Sequence, residues 1–177
     1  MARTIYDSGK DAKTGDKSWG FTPQMENGGN SVALDVRNYV SQNSPEYTNL
    51  PEHFDYADKQ YAEGPFPNSN LKGGPAIMGP HETLNMTVLG VREDILRRVN
   101  KGDAHVALWG WISYRDIFGC VHKTEFCEEV VAMSDPDRDG KRGFIFNNCT
   151  RHNCVDNTCE DYEETHTPMC ELASEPK

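Results

Sequence analysis

Residues 104–133 constrain the fold of this chain more than any other stretch. From Ala104 to Tyr114 the residues sort by alternation onto two faces. Ala104, Val106, Leu108, Gly110, Ile112 and Tyr114 share one, and His105, Ala107, Trp109, Trp111 and Ser113 share the other. Extended chains send successive side chains to opposite sides, so the spacing predicts a strand. Both faces carry apolar bulk, which places the strand centrally with its second face covered. Gly110 leaves room for a neighbouring ring or a close backbone approach. Asp116-Ile117-Phe118-Gly119 reads as a turn, and His122–Met133 as the antiparallel return strand.

The rest of the chain supplies further short strands. Ser31–Val40 alternates, with Val32, Leu34, Val36 and Val40 on one face and Asp35, Arg37 and Tyr39 on the other. Thr83–Leu89 alternates through Leu84, Met86 and Val88, after which the period changes. Val91, Ile95 and Val99 recur every four residues, predicting a short amphipathic helix closed by Asn100-Lys101-Gly102. Arg142–Phe146 is a last short strand, and Ser18–Phe21 and the proline-rich interior are sources of others. Residues 41–83 are punctuated by proline, which removes ladder donors. They are expected to form a long excursion, pinned by Phe54, Tyr56 and Tyr61 or acting as an irregular binding loop. Six to eight strands with a single helix fit an all-β fold, an immunoglobulin-like β-sandwich with one short lateral helix.

Domain limits follow from composition. Residues 1–24 are polar and glycine-rich and are expected to be a flexible segment, 25–155 the sandwich, and 156–177 an acidic cysteine-containing extension. That extension holds seven acids and one lysine, too little apolar surface to offset the entropy of ordering. The net charge of −10 argues against nucleic acid and anionic membrane surfaces, which require lysine and arginine. No apolar run reaches the length of a membrane span, so membrane association is expected only through a segment outside this chain. Six cysteines in 177 residues, four of them spaced Cys149-x4-Cys154-x4-Cys159-x10-Cys170, point to an oxidising compartment.

The run Gly110-Trp-Ile-Ser-Tyr-Arg-Asp-Ile-Phe-Gly119, followed by His122, Thr124, Phe126 and Cys127, resembles a group of uncharacterised bacterial proteins. Their motif is Gly-x-Ile-x-Tyr-x-Asp-x-Phe-Gly-x-x-His-x-Thr-x-Phe-Cys. Asn27-Gly28 ahead of Ala33 and Val36, and Cys149 with His152-Asn153, are similar further elements. The resemblance covers about residues 25–155. It implies a β-rich extracytoplasmic domain, periplasmic or envelope-associated, that follows membrane helices in the chain. Cys120, Cys154, Cys159 and Cys170 look like additions to the pattern and suggest more cross-linking. The resemblance implies no chemistry.

Candidate site residues fall into four sets. His122, Cys127, Cys149 and His152 offer two sulfurs and two imidazoles for tetrahedral zinc. The same sulfurs compete for a Cys127–Cys149 disulfide, the pairing expected as the core bridge because both lie on or beside successive β-elements. Asp135, Asp137 and Asp139 ahead of Gly140 match the opening of a calcium loop, although its twelfth position is Phe146. Trp109 and Trp111 share a face and form either a second core or an interaction surface, with Tyr39 and the Phe66 region available to join them. Asn85-Met-Thr87 and Asn148-Cys-Thr150 fit the glycosylation pattern but are set aside with the bacterial resemblance. No nucleophile elbow, phosphate loop, dinucleotide fingerprint or zinc-protease motif occurs. His122 and Cys127 point to opposite strand faces and make a poor catalytic pair.

The expected role is therefore a noncatalytic extracytoplasmic interaction or structural module with a protein or cell-envelope partner and no cofactor. A zinc-stabilised binding domain is the alternative, with calcium a further candidate ion, and a cysteine-dependent enzyme comes third.

Overall fold

The computed structural model describes residues 2–10, 14–42, 76–138 and 141–159. In chain order they form β1 (Ala2–Lys10), β2 (Lys17–Glu26), β3 (Ala33–Gln42), β4 (Ala76–Met78), β5 (Thr83–Asn85), β6 (Leu89–Arg92), α1 (Glu93–Val99), β7 (Val106–Arg115), β8 (Val121–Met133), β9 (Phe144–Asn148) and β10 (Cys154–Val155), followed by one 3-10 turn at Asp156–Thr158. Two antiparallel sheets pack face to face, giving the expected all-β sandwich with a single short helix. In one sheet β2 lies between β1 and the pair β5 and β6, which follow each other along its other edge. The second runs β10-β8-β7-β3-β4, with β9 also on β8.

The expected flexible segment 1–24 is instead β1 and most of β2. Trp19, Phe21, Pro23 and Met25 occupy alternate positions of β2, and all four are buried. Four apolar groups on one face outweigh the polar composition around them. Pro23 fits inside this strand for a geometric reason. Its carbonyl accepts from Met86 N at 2.9 Å, so its missing N–H faces the same side, in the gap between β5 and β6. Of the 156–177 extension, the 3-10 turn and the buried Cys159 belong to the folded unit. Of the expected 41–83 excursion, the two ends belong to β3, β4 and β5, while 43–75, with Phe54, Tyr56, Tyr61 and Phe66, lies outside the described residues, as does the chain from 160 onward.

The core has two inner clusters. Trp19 and Phe21 of β2 meet Ile95, Leu96 and Val99 of α1 and Val106, Leu108 and Val130 of the opposite sheet. Farther along, Met25, Val36, Met78, Ile112 and Phe126 form a second cluster between the sheets. The helix ends where expected, before Asn100, but it begins at Glu93, since Val91 pairs in β6; Gly102 closes it at φ 77°, a value only glycine adopts without strain. Gly110 answers the close approach expected of it. A Cβ there would stand 2.0 Å from the Tyr39 carbonyl oxygen and 3.0 Å from the Phe126 ring.

Two alternation readings need correction. In β3 the buried residues are Ala33 and Val36, because pairing to both β4 and β7 shifts register at this point. Asp35, at φ 51°, supplies the extra residue of this β-bulge, which switches the faces. The Thr83–Leu89 strand is broken into β5 and β6, leaving Val88 62% exposed while Met86 is buried.

Candidate functional site

Trp109 of β7 stands opposite Cys127 of β8. Cys149 follows β9, and its N–H donates to the Cys127 carbonyl at 3.0 Å. That proximity joins Cys127 to Cys149 in a disulfide across 22 residues, the expected pairing. The bridge, Ala107 and Trp109 form a third buried cluster on the outer face of the larger sheet. Trp109 is only 6% exposed. It is therefore core and not part of an interaction surface, while Trp111 is half-buried between Tyr39 and Glu125 of the neighbouring strands. Asn153 locks the junction. Its Oδ1 accepts from Cys127 N at 3.1 Å, and its Nδ2 donates to the Cys127 and Cys149 carbonyls at 3.2 and 3.0 Å.

This arrangement overturns the zinc set of His122, Cys127, Cys149 and His152. The two sulfurs are consumed by their mutual bond, and a disulfide is not the thiolate ligand that zinc requires. His122 sits five residues before Cys127 on the same strand and so faces the other way. His152 stands in the tight turn after Cys149, at φ 61°.

His122 instead closes a polar clasp at the end of the β7–β8 hairpin. Its Nδ1 lies 3.0 Å from Asp156 Oδ2 and its Nε2 3.5 Å from Asp116 Oδ2. The Tyr114 ring stacks on it with centroids 5.0 Å apart. Burial favours neutral imidazole, but the Asp156 and Asp116 carboxylates outweigh it and raise the His122 pKa above its ordinary value. Burial, with the charges of Asp156 and Asp116, likewise raises that of the Tyr114 phenol. Asp156 also accepts Lys123 N at 2.9 Å and adopts φ 47°. As expected of the turn, Asp116 takes the Phe118 and Cys120 amides at 2.9 and 2.8 Å, and Gly119 is at φ 87°. The held turn presents Ile117 and Phe118, 57% and 54% exposed.

A second disulfide, Cys154–Cys159, lies over the buried Glu125, which pairs with Lys123 Nζ at 2.9 Å. Cys120 is disulfide-bonded as well, and no cysteine among the described residues is free. Of the calcium candidates, Asp135 and Asp137 are exposed, and Asp139 lies outside the described residues. Asp137 Oδ1 accepts Lys141 N at 2.8 Å, an ordinary use of a turn carboxylate.

Between the sheets a cleft of about 740 Å³ opens. Met25, Val36, Met78, Ile112 and Phe126 belong to its apolar lining, while Glu26, Glu128 and Asn148 stand among its polar residues. Sequence reasoning missed this cleft, the Lys123–Glu125 pair and the role of Asp156. Asp156 lies 34 residues from His122, and no local pattern joins them. No family model, curated protein or solved structure matches the chain.

Proposed function

We propose that this chain is a noncatalytic extracytoplasmic module, fastened by disulfides, that docks onto a protein or cell-envelope partner. The supporting observation is the bonded state of the cysteines. Structural disulfides persist in oxidising compartments, and bonded sulfur offers no thiolate nucleophile. The Ile117-Phe118 turn, hydrogen-bonded through Asp116, is the docking element, since apolar groups held in place bind with little further ordering cost. No helix among the described residues is long and apolar enough to cross a membrane. The immunoglobulin-like description rests on the sandwich layering alone, because Cys127–Cys149 joins neighbours of one sheet and not two facing sheets.

A zinc-stabilised reading has one observation in its favour, with a different ligand set. Ligand atoms of Glu125, Cys154 and Cys159 lie within 4.8 Å of one another, so reduction would expose three donors together. Nonreducing peptide mass spectrometry separates the two readings. The module reading expects Cys127–Cys149 and Cys154–Cys159 cross-linked peptides from protein made in an oxidising compartment. Free thiols with stoichiometric zinc would refute it. Envelope fractions should retain the wild type and release Phe118→Asp; equal retention would remove the turn as docking element.

A further inference from the structure

The inter-sheet cleft plays no part in that reading, and its lining is chemically one-sided. Its charged lining residues are Glu26, Glu125 and Glu128, with no lysine, arginine or histidine among the described ones. Glu125 is already neutralised by Lys123 at 2.9 Å. Glu128 is half-buried, and its Oε2 accepts from Thr4 Oγ1 at 2.7 Å. A carboxylate can accept several donors, so Glu128 retains capacity toward the cleft. Asn27 and Asn153 spend their amides on backbone groups and shape the walls without soliciting a ligand. The apolar lining includes the thioethers of Met25 and Met78, which adapt to varied shapes, and the ring of Phe126, whose face favours a nearby cation. A volume of about 740 Å³ lies within the range of small-molecule sites.

We propose that this cleft binds a small cationic amphiphile, an amine carried on an apolar chain or ring. The apolar body lies against Met25, Met78, Ile112 and Phe126, and the ammonium faces Glu128, with Glu26 nearby. An anion would meet carboxylates with no counter-charge among the described lining residues, and a neutral apolar molecule would desolvate Glu128 without replacing its hydrogen bonds. The net charge of −10 adds a long-range field that concentrates cations.

The test uses the intact chain with methyl-labelled methionine and three probes of similar size: phenylpropylamine, phenylpropanol and phenylbutyrate. The amine should shift the Met25 and Met78 methyl signals saturably and leave Met133, which belongs to the other core cluster, in place. Phenylpropanol should bind about tenfold more weakly, the loss of one charge-assisted contact, and phenylbutyrate should leave the signals unmoved. Glu128→Gln should weaken the amine by about tenfold and spare the alcohol, with the Met133 signal reporting an intact fold. Glu26→Gln gives a second carboxylate variant that leaves the Thr4 contact alone, and it should weaken the amine selectively too. Equal shifts with amine and acid, no saturable shift at millimolar amine, or full amine affinity in both variants would overturn the proposal.

Discussion

His122 gives the clearest case of one side chain whose charge state matters to the fold. Its pKa is raised by Asp156 and Asp116 against the effect of burial. A group with a raised folded pKa stabilises fully below its unfolded value, near 6.5, and loses that contribution as pH rises through the folded one. Urea midpoints should therefore fall above neutrality in the wild type, and His122→Asn should flatten this dependence. An unchanged slope in the variant would show that the clasp carries no linkage. Gly110 is a residue of another kind. Its absent Cβ leaves space that the Tyr39 carbonyl and Phe126 ring already occupy. Gly110→Ala should cost about 3 kcal/mol or more, since overpacking here is against backbone, measured as a lower urea midpoint. The sequence already pointed to this glycine, because a gap in an apolar strand implies something filling it. It did not point to Asp156, whose partner is distant in the chain and whose neighbours suggested only an acidic tail.

Among the elements, the β7–β8 hairpin and α1 were legible from sequence because their contacts are local and their periods unbroken. β1 and β2 were not, since a polar average hid four apolar residues at alternate positions of β2. The β3 faces were misread because one bulge residue, Asp35, inverts the alternation. Their chemistry offers two measurements. Replacing Cys127 and Cys149 together by alanine should cost about 3 kcal/mol, the closure entropy of a loop of this length, and should loosen Trp109, seen as a red-shifted tryptophan emission. Glu93, buried at the start of α1, is the second. Burial pushes its pKa up, but Arg97, Lys17 and the Trp19 indole outweigh that and hold it below 4.5. Its contribution is present above the unfolded value and disappears as pH falls through the folded one. Glu93→Gln should be less stable than wild type near neutrality by about 1–2 kcal/mol, with the gap closing in acid. A constant gap across pH would assign the loss to packing instead.

For the whole molecule, three asparagines take over where strands stop. Asn27 ties Ser31 to the end of β4, Asn100 brackets the Met133 amide and carbonyl, and Asn153 does the same for Cys127. The last has a consequence for how copies of this chain behave in a crowded compartment. β8 is 13 residues long, and an open flank on such a strand would serve as a template for another chain. β9 covers that flank from Glu128 to Met133, and β10 covers Thr124 and Glu125. The Asn153 amide fills the rung at Cys127, between those two covers, and Asp156 takes the Lys123 amide. Asn153→Ala would open one rung in an otherwise closed flank, and light scattering on warming should detect earlier self-association than for the wild type. The amide thus completes a seam, and the seam keeps neighbouring copies from adding themselves as extra strands.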